Sequence, residues 1–445
     1  MQEWLWMQAG DLGRGIGAGE IDPVALTQCY LDAIAAHPDS DRIYARTTPQ
    51  RALAEAEAAA ERARLGTRRH PLDGVPISWK DLFDSAGTAT EAGSALLKGH
   101  VPDRDALVLR NATQAGLICL GKTHMSELAF SGIGINPVTA TPPNVNDPAL
   151  APGGSSSGAA TSVAFGLAAG GIGSDTGGSV RIPAAWNNLV GFKTTSGRIS
   201  LEGVQPLCKR FDTIGPLARS VQDCTLLLSA LEGRPAPDLR GVSPRGLRLG
   251  VLRNVAFDSI RDAPLAAFDA AAARLQDAGA RLTDITVPAL DAAMPLSALL
   301  FASEGYGLWK DRIEAAPDLM FPQILERFRA GAQVSAPDYV AGWEKLYALR
   351  AEWQAATAGF DAVICPTAPI LPPDVARMLS DEDYYITENL LALRNTRIGN
   401  LMGLPAVSLP TPSPACGLML MGQPLQEERL ARVAAAAEPV VLGAT

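Results

Sequence analysis

The chain has 445 residues, and its 47 Asp and Glu against 38 Lys and Arg give a formal net charge of −9. This acidic balance argues against a general nucleic-acid-binding protein, which would carry a basic face. Apolar residues make up 47% of the chain and charged residues 19%, a composition that excludes an intrinsically disordered protein.

The cysteines and histidines indicate free thiols and no metal site. Neither residue type is clustered, and no HExxH motif occurs. Scattered cysteines argue against a disulfide framework and favour a reducing compartment. The first residues lack a signal-peptide pattern, and no apolar run reaches the ~18–20 residues of a membrane span. We therefore expect a cytoplasmic protein without a metal ion or other cofactor, which binds neither membrane nor nucleic acid.

The first part of the chain is predicted to be helical. Asp22 and Pro23 are typical of a helix start, with Asp as the N-cap and Pro at the first helical position. Residues 50–65 are rich in Ala, Glu and Arg and end at Gly66, which predicts a second helix.

Short apolar strands then alternate with helices. Residues 74–79 are β-prone and run into Lys80, residues 105–115 fit a helix, and residues 117–120 fit a buried strand. Later helices are predicted at residues 264–280 and 339–359. Later strands are predicted at residues 247–252, 361–366, 405–410 and 417–421, the last two as a candidate pair. The alternation predicts an α/β fold with a largely covered sheet and, without repeats or long linkers, one large domain.

Residues 151–180 stand apart, because nine of these 30 positions are Gly against 42 in the whole chain. A flexible Gly/Ser linker is one interpretation. Residues 159–167, however, form an apolar helical run with polar groups only at its two ends. A helix between two Gly/Ser turns therefore fits this segment better than a linker.

Residues 116–123 satisfy the P-loop pattern GxxxxGK[ST] literally. A phosphate cradle needs a flexible loop whose backbone N–H groups turn inward. The four central residues are Leu, Ile, Cys and Leu, which favour a buried strand instead. We interpret the segment as a core strand followed by a turn, not as a nucleotide site.

Three polar positions suggest nucleophilic chemistry: Lys80 at a strand end, Ser155 in a GGSSSG run, and Ser179 after Gly177 and Gly178. A serine nucleophile needs a base to take its proton and donors for the oxyanion. The two glycines let several backbone N–H groups surround one point. No His lies near either serine in sequence, whereas a lysine made neutral by burial can act as the base.

These segments resemble the amidase signature family, the Ser–cisSer–Lys hydrolases. The matching segments are residues 74–81, 153–156, 173–183 and 191–194. Lys80 and Ser155 are 75 residues apart, and Ser155 and Ser179 are 24 apart, which also fits. The resemblance implies a single domain over residues 1–445 with a central, mostly parallel or mixed, twisted sheet covered by helices on both faces. Its expected parts are a helical N-terminal part (1–70), a catalytic core (71–225), a variable pocket region (226–360) and a C-terminal part of the core (361–445).

The resemblance also implies roles for individual residues. Ser179 is expected to be the nucleophile that is acylated, Ser155 the proton bridge after a cis peptide bond, and Lys80 the general base. The oxyanion hole is expected to be formed by the backbone N–H groups of Thr176, Gly177, Gly178 and Ser179. The expected pocket residues are Met125, Phe130, Gly132, Gly154 and Ser156.

Neighbouring positions are expected to be structural or to tune specificity. Asp175 is expected to order the turn, and Arg181 to pair within the core. Ser174 replaces the Thr usual in the family, a mild departure. For His124, Lys209 and Arg210, contact with substrate is one interpretation, and ordinary packing or surface exposure is the other.

The leading functional hypothesis is an amide hydrolase acting on a small-molecule amide. One alternative is the A-type subunit of a glutamine-dependent amidotransferase, although residues 300–345 lack landmarks of that protein. Another is a hydrolase of a urea derivative such as allophanate or carboxybiuret. A non-enzymatic scaffold is disfavoured because all three catalytic residues are present. The sequence is also compatible with a homodimer.

Overall fold

Eleven short strands form one continuous sheet in the computed structural model, which describes residues 2–443. The strands are β1 (Tyr44–Thr47), β2 (Pro76–Lys80), β3 (Ile118–Thr123), β4 (Gly171–Ser174), β5 (Val190–Lys193), β6 (Ile214–Ala218), β7 (Arg248–Leu252), β8 (Arg281–Ile285), β9 (Ala362–Pro366), β10 (Ala406–Pro410) and β11 (Gly417–Met421). Their order across the sheet is β1-β3-β2-β4-β6-β5-β10-β11-β9-β7-β8.

The sheet is mixed, as the resemblance implies. Six of the ten strand pairings are antiparallel, and four are parallel. The predicted pairing of the two late strands is confirmed, with Ala406 opposite Met421 and Pro410 opposite Gly417. The parallel pairs β3–β2–β4 place the strand that ends in Lys80 in the interior of the sheet.

Helices flank this sheet. Every residue of β2, β3 and β4 is buried, and because successive side chains point to opposite faces, both faces must be covered there. The helices are α1 (Ala9–Ala18), α2 (Pro23–Ala36), α3 (Ser40–Ile43), α4 (Pro49–Arg64), α5 (Leu107–Ala115), α6 (Ser157–Ala164), α7 (Arg181–Trp186), α8 (Val221–Glu232), α9 (Asp262–Asp277), α10 (Pro288–Ala293), α11 (Leu296–Ala315), α12 (Pro322–Arg329), α13 (Ala336–Thr357), α14 (Val375–Ser380), α15 (Glu382–Leu401) and α16 (Glu427–Val441).

The helix start predicted at Asp22 is confirmed, since its carboxylate accepts a hydrogen bond from the Ala25 N–H at 2.8 Å. The helix predicted from residue 339 begins three residues earlier, at Ala336. Ser335 is its N-cap and accepts a hydrogen bond from the Asp338 N–H. Among residues 2–443, no helix combines the length and the apolar character that a membrane span requires.

The P-loop pattern is a strand, as the sequence predicts. Gly116 ends α5 in the left-handed conformation, with φ 93°, and the residues that follow form the fully buried strand β3. Lys122 is also buried, and its ammonium contacts Asp81 at 3.1 Å and Thr90 at 3.0 Å. The lysine that a phosphate would need is therefore part of the core.

Candidate active site

Lys80 is the last residue of β2, and its side chain is fully buried. Its Nζ lies 2.7 Å from Ser155 Oγ and 2.8 Å from Ser174 Oγ. Within residues 2–443, no carboxylate forms an ion pair with it. The structure thus brings the predicted lysine and one predicted serine into direct contact, inside the protein and away from a counter-ion.

Burial lowers the pKa of Lys80 to about 7, although the carboxylates of Asp175 and Asp212 act in the opposite direction. The cause is that removing the ammonium from water disfavours the charged form. Near neutral pH a large fraction of Lys80 is therefore an uncharged amine, which can accept a proton.

The peptide bond between Gly154 and Ser155 is cis. The turn is packed tightly against a neighbouring loop, because the Gly154 N–H donates to the Gly132 carbonyl at 2.8 Å. A Cβ at Gly154 would lie 2.6 Å from the backbone nitrogen of Gly134 and from Ser126 Oγ. Both Gly132 and Gly154 therefore position Ser155 through backbone contacts.

Ser156 links the two serine-containing turns. Its hydroxyl donates to the Ser174 carbonyl at 3.1 Å and accepts from the Ser174 N–H at 3.3 Å. Its own N–H donates to the Ser179 carbonyl at 3.2 Å. These bonds fix the end of β4 and the Ser179 turn relative to Ser155.

The turn from Thr176 to Ser179 carries four consecutive backbone N–H groups that make no hydrogen bond to any residue in the range 2–443. Gly178 has φ 143°, and a Cβ there would lie 2.1 Å from Thr396 Oγ1. Thr396 in turn donates to the Gly177 carbonyl at 2.8 Å. Helix α15 thus holds the turn in place, while the four N–H groups of the turn remain available to bind a ligand.

Ser179 Oγ faces a different environment from Ser155. It makes no hydrogen bond to another described residue, and the pair Ser155–Ser179 is not joined through the hydroxyls. Ser179 instead lines a small cavity of about 20 Å³. The cavity is lined by Ala129, Phe130, Ser131, Thr176, Gly177, Ser179, Leu207, Phe301, Arg327, Leu393 and Arg397.

Of the five residues expected in the pocket, Phe130 is among those lining the cavity. Met125 is fully buried in the core. The other three, Gly132, Gly154 and Ser156, support the serine turns as described above. Their glycine and serine identities are explained by close backbone packing rather than by contact with the open space.

A buried ion pair braces the nucleophile turn. Arg181 donates to both oxygens of Asp175, at 2.8 and 2.9 Å, and Asn400 donates to the same carboxylate at 2.9 Å. Burial would raise the pKa of Asp175, but the Arg181 guanidinium holds it far below its usual range. The structural roles expected for Asp175 and Arg181 are consistent with this geometry.

Replacing Arg181 with Met is expected to destabilise the fold by about 3–5 kcal/mol, because it leaves the Asp175 carboxylate buried without its cation. Urea unfolding followed by circular dichroism measures this change. The exposed pair of Arg64 and Glu61 provides a control, since Arg64→Met should alter the unfolding midpoint little. An Arg181→Met protein as stable as the wild type would contradict the bracing role.

His124, Lys209 and Arg210 lie outside the cavity lining. The His124 carbonyl accepts from the Gly158 N–H at 2.9 Å, and burial lowers the pKa of its ring. Arg210 is exposed and lies over the Trp343 ring, 5.1 Å from its centre. Lys209 is exposed. The packing and surface interpretations therefore hold for these three residues.

Several residues of the site were not predicted from the sequence. Ser174 contacts the lysine, although the sequence marked it only as a departure from the usual Thr. Asp212 accepts a hydrogen bond from Thr176 Oγ1 at 2.6 Å, and Thr396 holds Gly177. Arg327 and Arg397 line the cavity from segments that carry no recognisable motif. Among residues 2–443, no group of three or more His, Cys, Asp or Glu side chains is placed to hold a metal ion.

Comparison with known proteins gives the class of the molecule. The family profile Amidase matches residues 25–431. A solved structure described as an amidase superposes with a TM-score of 0.88 at 30% identity, covering 98% of this chain and 100% of that one. The chain therefore belongs to the amidase family and is a hydrolase of carbon–nitrogen bonds.

Two curated relatives show the range within the family. The 2-amino-5-chloromuconic acid deaminase of Comamonas testosteroni is 36% identical, over 95% of this chain and 93% of its own length. The A-type subunit of the Glutamyl-tRNA(Gln) amidotransferase of Chloroflexus aggregans is 29% identical, over 97% of this chain and 96% of its own length. Similarity over nearly full length thus extends to proteins with different named activities.

Proposed function

We propose that this protein hydrolyses a carboxamide through an acyl-enzyme on Ser179, with Ser155 as the proton bridge and Lys80 as the general base. The observation that carries the proposal is the 2.7 Å contact between Lys80 Nζ and Ser155 Oγ in a fully buried site. A lysine without a carboxylate partner, and with its pKa lowered to about 7, mainly by burial, can work as a neutral base.

The proposed reaction begins when neutral Lys80 takes the proton of Ser155 as Ser155 takes that of Ser179. Ser179 Oγ then attacks the amide carbon, and the carbonyl oxygen becomes an oxyanion. The proton returns through Ser155 to the nitrogen, and the carbon–nitrogen bond breaks to release ammonia or an amine. Water attacks the acyl-enzyme by the same proton route and releases the acid.

The oxyanion is proposed to bind to the backbone N–H groups of Thr176, Gly177, Gly178 and Ser179. These N–H groups are suited to this role because they donate no hydrogen bond to any other described residue. Donors fixed before the reaction stabilise the developing charge without reorganising, which typically contributes a few kcal/mol per donor. Thr396 and the absence of a side chain at Gly178 keep the turn in this arrangement.

Ser174 is proposed to position the base. Its hydroxyl lies 2.8 Å from Lys80 Nζ, and its backbone is fixed by Ser156. With two hydroxyl partners, the lysine amine has a defined direction towards Ser155. A hydroxyl at this position is therefore required by the geometry, whether Ser or Thr supplies it.

A fluorophosphonate is expected to label the protein once, at Ser179. The serine oxygen forms a bond to phosphorus and fluoride leaves, so intact mass rises by one phosphonyl group and peptide mapping locates it. Labelling should be lost in Ser179→Ala and strongly slowed in Lys80→Met. Modification at a different serine, or undiminished labelling of Ser179→Ala, would contradict the assignment of the nucleophile.

The second candidate is an amidotransferase component, which the similarity to the Glutamyl-tRNA(Gln) amidotransferase chain supports. Both candidates use the same chemistry at Ser179, but they differ in what receives the ammonia. The hydrolase should release ammonia from an amide as a purified single chain. A transferase component should hydrolyse glutamine poorly until a partner chain and its acceptor are added.

The location in the cell is also a proposal. The five buried cysteines, Cys119, Cys208, Cys224, Cys365 and Cys416, are free thiols. Free cysteines are typical of a reducing compartment, which supports a cytoplasmic location.

A further inference from the structure

Two arginines in the wall of the Ser179 cavity have no acidic partner. Arg327 is on α12 and Arg397 on α15, and both line the cavity together with Ser179 and Gly177. Neither forms an ion pair with any residue in the range 2–443. Both also line an adjoining cavity of about 190 Å³, together with Phe130 and Phe301. The positive charge therefore borders the space next to the proposed nucleophile.

The contacts of these two guanidinium groups leave donors unused. Arg327 lies over the Phe130 ring, 4.4 Å from its centre, and its Nη1 has no hydrogen-bond partner. Arg397 reaches Ser297 Oγ at 3.4 Å, a long hydrogen bond, while its Nε has no partner. The Glu127 carboxylate accepts hydrogen bonds from the Ser94 hydroxyl and the Phe321 N–H, and it does not pair with either arginine.

Other inward-facing arginines in this protein form ion pairs or, like Arg219, Arg350 and Arg394, donate to backbone carbonyls. Arg181 pairs with Asp175, Arg62 with Asp73, and Arg198 with three glutamates. A charge removed from water without a counter-ion is costly, and two like charges side by side add repulsion. Consistent with this, burial lowers the pKa of Arg397 to about 10, with a further contribution from Arg327. The missing counter-ion is best supplied by a ligand.

We infer that the substrate is an amide whose acyl part carries a carboxylate, and that Arg327 and Arg397 bind this carboxylate. The inference rests on the proposed function. Guanidinium groups are well suited to carboxylates because their N–H donors match the two oxygens. The inference is made for a primary amide, whose nitrogen leaves as ammonia and offers no place for a carboxylate. The carboxylate then belongs to the acyl part. Monoamides of short dicarboxylic acids are the substrate class that follows.

The test compares glutaric acid monoamide with pentanamide, which have the same number of carbons and differ in the terminal carboxylate. We expect the wild type to prefer the acid. Arg327→Met and Arg397→Met should each lower the preference for the acid, measured as the ratio of its kcat/KM to that of pentanamide, by about 10- to 100-fold, mainly through KM for the acid. Arg397→Lys should recover part of the loss because it restores the charge.

Arg350→Met is the matched control. Arg350 also packs on aromatic rings without an ion pair, but it donates to the Leu401 carbonyl and does not line either cavity. Its substitution should leave the preference for the acid intact. Equal effects of all three substitutions would overturn the inference, because they would show a general effect of removing a buried arginine.

A binding experiment separates this inference from the proposed function. Glutarate, the product, should raise the Tm of the wild type but not of the Arg327→Met/Arg397→Met protein. Without ligand that variant should be at least as stable as the wild type, because an unpaired buried charge has been removed. The inference would be overturned if hydrolysis depended on Ser179 but proceeded equally well with neutral amides, and if glutarate did not raise the Tm. The proposed function would then remain intact. Absence of fluorophosphonate labelling would instead contradict the proposed function.

Discussion

Ser179→Ala is expected to lower kcat for amide hydrolysis by about 10⁴- to 10⁶-fold. Removing the nucleophile prevents the acyl-enzyme from forming, and the N–H groups of the turn can then provide only a small residual acceleration. The measurement is ammonia release under substrate saturation, with a coupled assay or mass spectrometry. The effect should fall on kcat rather than on KM, because the carbonyl can still bind against the same backbone donors.

Two features make this a clean test. Ser179 Oγ has no hydrogen bond to a described residue, so alanine removes no bond and the free energy of unfolding should change by less than about 0.5 kcal/mol. Ser157, in the neighbouring serine run, offers a matched control because its hydroxyl makes only a 3.5 Å contact with the His124 carbonyl. Ser157→Ala should retain turnover. A Ser179→Ala protein that hydrolyses amides at the wild-type rate would refute the acyl-enzyme on this residue.

The parts of the site that could be predicted are those carried by local patterns. Lys80 was found because an apolar strand ends in a charged residue, and Ser155 and Ser179 because each lies in a glycine-containing turn beside a helix. In these segments the residue types needed for chemistry and those needed for the backbone occur together. The family resemblance then supplied roles that local pattern alone leaves open.

Helix α15 shows why the rest could not be predicted. It contributes Thr396 to the nucleophile turn and Asn400 to the carboxylate of Asp175, across more than 200 positions of sequence. Its polar residues are buried on several sides, so the segment lacks the apolar stripe by which an amphipathic helix is recognised. The same helix holds Arg397, whose lack of an acidic partner is visible only when all its neighbours are known.

Sheet order is a second property that local patterns do not carry. The neighbours of β4 are β2 and β6, and between β6 and β9 the order runs β5, β10 and β11. The sequence predicted six of the eleven strands, β2, β3, β7, β9, β10 and β11, as short apolar segments, and it missed the other five. Nothing within a segment specifies its partner. The exception is β10 and β11, which are close in sequence and therefore predictable as a pair.

The activity of the protein is expected to rise with pH and to level off above a midpoint near 7. The base must be uncharged, and burial lowers the pKa of Lys80 to about 7. Below this value kcat/KM should fall by about tenfold per pH unit, as the neutral fraction of the amine decreases. Lys80→Met, which replaces the base with an apolar side chain of similar length, should lower kcat by about 10²- to 10⁴-fold and abolish the pH dependence that arises from this group.

A second buried lysine provides the control for this interpretation. Burial lowers the pKa of Lys193 to about 7 as well, but its Nζ donates to the carbonyls of Thr194 and Leu404 and does not contact either proposed catalytic serine. Lys193→Met should therefore leave the midpoint of the pH profile unchanged, even if it lowers stability. If the midpoint disappeared in Lys193→Met and persisted in the residual activity of Lys80→Met, the titrating group would be Lys193 and the role of Lys80 as base would be wrong. The opposite pattern follows from an uncharged Lys80 that takes a proton from Ser155, because of the two lysines only Lys80 contacts this hydroxyl.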